Sequence, residues 1–285
     1  MPRRHWRHFF PRRNASPFTP QMHTNDSIFV QARTILDTVA ISSVESLDSF
    51  INERKRIEEK DSVSWLVLLI LQAPRAARAQ YSMDEHPHGY HNRKQRLYEL
   101  IDFNDTFVET VLSLPESELA TFVESLKEAI DTFCLRLRTQ TFSTKQYQAI
   151  THGLSREIAV YRAALIHGFE VAMTPRAVDA FGVDMQIRSL DKGKYINVDC
   201  KTTSAFHFRL KDLVHQGRIS FDNQAEAEVK GYWEITNRGK GREMRIILLR
   251  ISQDELGEIH AFSFADESTL IARLQHIISE RGLKD

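Results

Sequence analysis

From Asp26 to about Gln140, apolar residues recur every three to five positions, the spacing of one buried helix face. Ile28, Val30, Ile35, Leu36 and Val39 form the first stripe, with Asp26 placed to cap it. A second runs from about Val44 through Ile51 to Ile57. Glu53–Asp61 then mixes charges of both signs at i,i+4 spacing, which suits a solvated helix face. Val63–Leu71 is the strongest apolar run of the chain; it is far short of the roughly 20 residues that span a bilayer, and Gln72, Pro74 and Arg75 close it, so it predicts a buried helix. A polar loop follows at about Met83–Asn92. Helices are predicted near Lys94–Leu114 and Ser117–Arg138, with Pro115 ending one and Ser117 capping the next.

After about residue 142 the pattern changes to short strand-like runs: Phe169–Met173, Met185–Ser189, Tyr195–Thr203, Tyr232–Thr236, Met244–Ile251 and Glu258–Phe264. A helix precedes them, Leu154–His167 closed by Gly168, and another follows, Asp266–Ser279. This predicts a basic arm over residues 1–24, an all-helical region over 25–141 and an α/β domain over 142–285, a usual size for one domain.

Composition narrows the class. The 285 residues are 42% apolar and 27% charged, with 38 basic and 38 acidic side chains, which excludes a disordered polyelectrolyte and a collagen-like chain. Zero net charge excludes a surface that is basic throughout, but residues 1–22 hold Arg3, Arg4, Arg7, Arg12 and Arg13 with no acid, interleaved with Trp6, Phe9 and Phe10. That stretch reads as an arm lying on phosphates, an organelle transit peptide or a disordered leader. Cys134 and Cys200 lie far apart, so neither a disulfide nor a zinc framework is expected, and a reducing cytoplasm is the default location. His86, His88 and His91 surround Pro87 and Gly89, which prevent the helix that would align them as ligands. They read as an exposed loop.

Chemistry concentrates in the α/β region. Asp199 and Lys201 flank Cys200 in the run Tyr195–Thr203, and strand alternation puts both on one face, with Val198, Cys200 and Thr202 on the other. On a core face, two charges would cost several kcal/mol per ion to desolvate, roughly, so the pair needs a reason. The bland alternative is an exposed pair on an edge strand. Asp184 follows Gly182-Val183 at the mouth of another strand. Glu157, in Leu154–Leu165, lies in register with Val160, Tyr161, Ala164 and Leu165 and points along the buried stripe toward the sheet.

A helix with Glu157, a strand pair, Gly182-Val183-Asp184, then Asp199-Cys200-Lys201 on the following strand resembles the PD-(D/E)xK nuclease superfamily, the fold of restriction endonucleases and Holliday-junction resolvases. The resemblance covers roughly residues 145–265. It implies a restriction-endonuclease-like α/β domain, a mixed central sheet flanked by helices, behind an all-α N-terminal region. It further implies that Asp184 and Asp199 hold a divalent metal, Mg²⁺ with Mn²⁺ as substitute, that Glu157 is an auxiliary ligand, and that Lys201 activates or orients the attacking water. No Pro immediately precedes Asp184, and the acid of the last motif is the shorter Asp.

The residue types suit such a reaction. Phosphodiester hydrolysis needs an in-line water and neutralisation of charge on the phosphoryl oxygens, which a hard cation on carboxylates provides. A partly desolvated Lys201 is expected to have its pKa lowered toward accepting a proton. Thr203, Arg209 and Lys211 follow the motif as phosphate contacts, and Arg238, Lys240 and Arg242 sit on a Gly-containing hairpin tip able to enter a groove. The expected function is a metal-dependent DNA endonuclease of restriction or defence type, acting on double-stranded DNA, with a homodimer as the arrangement for cutting both strands. The alternatives are a nuclease acting on RNA or branched DNA and an inactive nuclease-fold protein that serves as a nucleic-acid-binding or assembly module.

Overall fold

The structure, a computed structural model, describes residues 27–39, 41, 43–44, 46–85, 93–174, 182–239 and 242–284. The Arg-rich arm, the cap at Asp26, the His86–His91 loop and Lys240 lie outside the described residues. The chain divides into two compact units between Ser155 and Arg156.

The first unit is helical: α1 (Ile28–Thr38), α2 (Leu47–Lys55), α3 (Ser62–Glu85), α4 (Arg93–Ser113), α5 (Glu116–Leu119), α6 (Phe122–Arg136) and the first part of α7 (Thr144–Ile166). Ser27 caps α1, its Oγ accepting from Phe29 N–H at 3.3 Å. Helix α3 packs against α1, α2, α4 and α6, so its apolar run is buried on every side. It does not close at Pro74, as the sequence predicts, but runs through it to Glu85. A proline inside a helix costs about 3 kcal/mol. Ala76, Ala77 and Ala79, strong helix formers buried beyond the proline, offset that cost. Pro115, not Ser117, is the N-cap of α5, and the predicted Ser117 helix is broken into α5 and α6. Phe107 packs edge-on to Phe122 at 5.6 Å in this core.

The second unit is a mixed sheet between helices. Its strands are β1 (Phe169–Met173), β2 (Met185–Ser189), β3 (Lys194–Thr202), β4 (Tyr232–Gly239) and β5 (Arg242–Ile251), in the order β1-β2-β3-β5-β4, and the short β8 (Leu283–Lys284) pairs with the start of β3. All neighbours are antiparallel except β3 and β5, which are parallel. A parallel pair needs a crossover. Helices α8 (Thr203–His215) and α9 (Phe221–Lys230) and strand β4 make it. Thr202 caps α8 by accepting from Ala205 N–H, and Ser220 and Asn223 form a capping box on α9. The predicted strand Glu258–Phe264 is a small hairpin of β6 (Ile259–His260) and β7 (Ser263–Phe264), because Ala261 and Phe262 turn with positive φ. It follows α10 (Gln253–Leu256), and α11 (Ser268–Arg281) ends the unit.

The sheet has two unlike faces. Val198, Ile187, Ile247 and Leu249 join Ala159, Ala163, Leu270 and Leu274 of α7 and α11 in one core. Leu248, Ile246 and Ile235 join Phe206, Leu210 and Leu213 of α8 in the other. Asp199 is paired with Leu248, so it stands on the α8 face. Among the described residues no helix is long and apolar enough to cross a membrane.

Candidate active site

Strand β3 lies inside the sheet, with β2 on one side and β5 on the other, so Asp199 and Lys201 are not an edge pair. Asp199 is only 7% exposed. Lys201 Nζ donates to Asp199 Oδ1, and the Lys201 side chain retains 31% exposure. One end of the pair is therefore dry and the other wet.

Asp184 completes the arrangement through the β-ladder. Strand β2 begins at Met185, opposite Val198, and the Asp184 N–H donates to Val198 O at 2.9 Å, one residue out of that register. One position further, β2 supplies no carbonyl for the Cys200 N–H. Asp184 Oδ2 accepts it instead at 2.6 Å. The carboxylate thus replaces a ladder carbonyl, and a buried donor is satisfied. Held on the Cys200 N–H, the Asp184 carboxyl reaches the neighbouring Asp199, and a side-chain hydrogen bond between the two lowers the Asp199 carboxyl. Thr174, just after β1, fixes the Asp184 backbone, its N–H donating to Asp184 O at 3.1 Å.

Burial pushes the Asp199 carboxyl up from its ordinary value, and Lys201, Arg209 and Asp184 pull against that shift. Burial alone would lower Lys201, but the facing Asp199 carboxylate, helped by Asp184, outweighs it and holds the ammonium proton on. The direction that stands for the pair is a protonated Lys201, because two carboxyl groups face it. The sequence expectation of a Lys pKa lowered by desolvation is thus corrected: the counter-charge wins over burial.

Glu157, half-buried on α7, joins the cluster from the other face of the sheet. Cys200 packs against the α7 side, and its thiol is pushed well up by burial, then by the charges of Asp184, Glu157 and Asp199. All three acids act on one thiol, which stays protonated and is no nucleophile. Among the described residues no three His, Cys, Asp or Glu side chains are grouped closely enough to hold a metal ion. The acids meet as a pair, Asp184 with Asp199, and Glu157 stands behind Cys200.

The predicted nucleic-acid contacts fall in two places. Thr203 is exposed as the first residue of α8, Lys211 is exposed further along it, and Arg209 acts electrostatically on Asp199 while donating to Asp212 Oδ2 at 2.6 Å. The β4–β5 hairpin is formed, with Arg238 opposite Glu243 and Gly239 opposite Arg242. Arg238 pairs with Glu243 there. Five residues of β5 separate Leu248 from Glu243, so the Arg238 end lies about 17 Å along the strands from Asp199.

Two further features shape the site. Gly182, with φ of +81°, brings its backbone against the site: a Cβ there would stand 3.7 Å from Asp199 Oδ2 and 3.9 Å from Asn237 Nδ2. The glycine before Val183-Asp184 is a usable sequence signal for that turn. Asn237 is not, since nothing in the local pattern ties β4 to the Asp184 turn. No protein-family model, curated protein or solved structure matches the chain.

Proposed function

We propose that this chain is a metal-dependent endonuclease that hydrolyses DNA phosphodiester bonds, of restriction or defence type. The observation that carries the reading is the pair of carboxyl groups, Asp184 and Asp199, in contact on the central strands with the Lys201 ammonium on the same face. Two such groups ionise together in a low-dielectric setting only beside a counter-charge, which Lys201 supplies in part and a bound cation would complete. Their oxygens are hard donors, and Mg²⁺ is commonly held by one or two carboxylates while keeping water in its shell. The pair therefore fits Mg²⁺, or Mn²⁺ in its place, while Glu157, on the α7 side of the sheet behind Cys200, would act on the ion from outside its ligand shell.

When bound, the ion would polarise the phosphoryl oxygens and acidify a coordinated water. The chain's own residues divide the remaining work. Asp184 is locked by the Cys200 N–H, so one of its oxygens is committed to the backbone. Lys201, protonated, acts as a donor: it orients the attacking water and offsets negative charge growing on the phosphate. Thr203, Arg209 and Lys211 on α8, which begins immediately after β3, hold the flanking backbone.

A second reading, a nuclease-fold protein that binds nucleic acid without cutting it, draws on the Lys201–Asp199 pairing, which engages two of the groups the reaction uses. Incubating supercoiled plasmid with the protein and Mg²⁺ or Mn²⁺, beside Asp184→Ala and Lys201→Ala, separates the two. Nicking by the wild type alone supports the enzyme, whereas binding without cleavage by any of the three supports the second. A panel of linear, branched and RNA substrates then assigns the substrate.

A further inference from the structure

We propose that the outward stripe of α8 is a stacking platform for an unpaired stretch of the nucleic-acid strand; the inference rests on the nuclease reading and gives it a substrate class. Helix α8 buries Phe206, Leu210 and Leu213 against the sheet. The opposite stripe, at the same helical spacing, is Ser204, Phe208, Lys211 and His215, all exposed. Phe208 leaves 74% of its surface in water. A single exposed ring needs no explanation by itself. The charge around this one points to an occupant.

The stripe contains no acid. The one acid of α8, Asp212, lies on the flank and is engaged by Arg209 at 2.6 Å and Gln216 at 2.9 Å. Glu228, facing the other flank from α9, is engaged by His207 at 2.6 Å and Gln224 at 3.0 Å. What faces solvent is an aromatic ring with an ammonium one turn beyond it, a hydroxyl one turn before it and an imidazole after that. Such a surface complements a polyanion that carries flat apolar faces. A duplex hides its base faces and presents phosphates and groove edges, whereas an unpaired strand offers a base to the ring and the adjoining phosphate to the cation. Location agrees. Phe208 lies about 8 Å along the helix axis from Thr203, which follows the Lys201 strand, so a strand whose scissile phosphate sits at Lys201 passes within reach of the stripe.

The test measures binding separately from cleavage. Fluorescein-labelled oligo(dT) and a hairpin duplex of equal length are titrated with full-length protein in EDTA, using the wild type, Phe208→Ala, Phe208→Trp and Lys211→Gln. Phe208→Ala should weaken oligo(dT) binding about tenfold, in line with one lost stacking contact, and leave duplex binding within about twofold. Phe208→Trp should retain affinity, with its added indole emission quenched by the oligonucleotide. Lys211→Gln should weaken both ligands and reduce the salt slope by about one. Unchanged oligo(dT) binding by Phe208→Ala overturns the platform while metal-dependent cleavage, assayed in parallel, leaves the nuclease reading standing. Failure of the wild type to bind oligo(dT) overturns the platform, and only failure to cleave in the parallel assay as well overturns the nuclease reading. Self-association abolished by Phe208→Ala, with oligo(dT) binding intact, assigns the stripe to a protein contact and also overturns the platform.

Discussion

Lys201 is where two opposing effects on one side chain are decided by neighbours. Burial alone would lower its pKa, and Asp199 with Asp184 more than reverses that. Removing the ammonium by Lys201→Met leaves Asp199, 7% exposed, without its cation. We expect a loss of about 2 to 3 kcal/mol at neutral pH, below the range for fully buried pairs because the lysine end is partly wet. Saturating Mn²⁺ should raise the melting midpoint of Lys201→Met more than that of the wild type, since the ion would supply the missing counter-charge; equal shifts would remove the support for a cation between Asp184 and Asp199. The acids should also rank. Asp199→Asn replaces a carboxylate of the contacting pair and should cut metal-dependent cleavage at least about a hundredfold, as loss of several kcal/mol of charge stabilisation would. Glu157→Gln, standing behind Cys200, should cost about tenfold, the scale of an outer-shell change. Steady-state cleavage rates at saturating metal check this order, and a larger loss at Glu157 would reverse the assignment of ligands.

Elements bring these residues together, and some of that assembly was legible in the sequence. The alternation Val198-Asp199-Cys200-Lys201 has period two and two charges, so the shared face of Asp199 and Lys201 follows from the pleat alone. That β3 is interior does not, because its parallel partner β5 arrives only after α8, α9 and β4. Nor does the Asp184–Cys200 N–H bond, which depends on how the turn before β2 brings Asp184 against β3. Pro74 misleads for the opposite reason: a local penalty is outweighed by burial of the alanines beyond it. A cluster of this kind also closes the end of the sheet opposite the hairpin. Glu255 of α10 receives Arg250 of β5 and, at 2.9 Å, Arg273 of α11, while Arg250 reaches Glu228 O of α9 at 2.7 Å. Burial pushes the Glu255 carboxyl up, but the hydrogen bonds from Arg273 and Arg250 outweigh it and hold it below its ordinary value of 4.5. Its contribution is therefore complete above pH 4.5 and lost as pH falls through the lower folded value. Glu255→Gln should cost about 1 kcal/mol at pH 7, discounted for partial solvation, and progressively less as acid protonates the wild-type carboxyl. Urea midpoints at pH 7 and pH 3 measure this, and an equal deficit at both would show that packing, not charge, is lost.

At the scale of the whole molecule, Glu157, Asp184, Asp199 and Lys201 all belong to the unit that begins at Arg156, as do both cores of the sheet. Helix α7 crosses the division, so a fragment has to keep it whole. Its start is closed by residues the fragment keeps: Ser143 N–H donates to Gln146 Oε1 at 2.9 Å and Gln146 N–H to Ser143 Oγ at 3.2 Å, a reciprocal cap whose Gln146 Nε2 also donates to Asp84 Oδ2 of α3 at 2.7 Å. A fragment of residues 142–285 should therefore melt in one cooperative transition and cleave plasmid in Mn²⁺. It should be less stable than the full chain, because Tyr147, Thr151 and Leu154, buried in the intact protein, all precede Arg156 and so belong to the unit that the fragment cuts through. Tyr147 in particular gives up its hydroxyl bond to Val123 O. Restoring solubility by Leu154→Gln should leave cleavage unchanged, since that residue precedes the unit that holds the acids. A fragment that is unfolded by circular dichroism, or folded yet unable to cut under conditions where the full chain does, would mean that the helical unit completes the catalytic unit and is not merely joined to it.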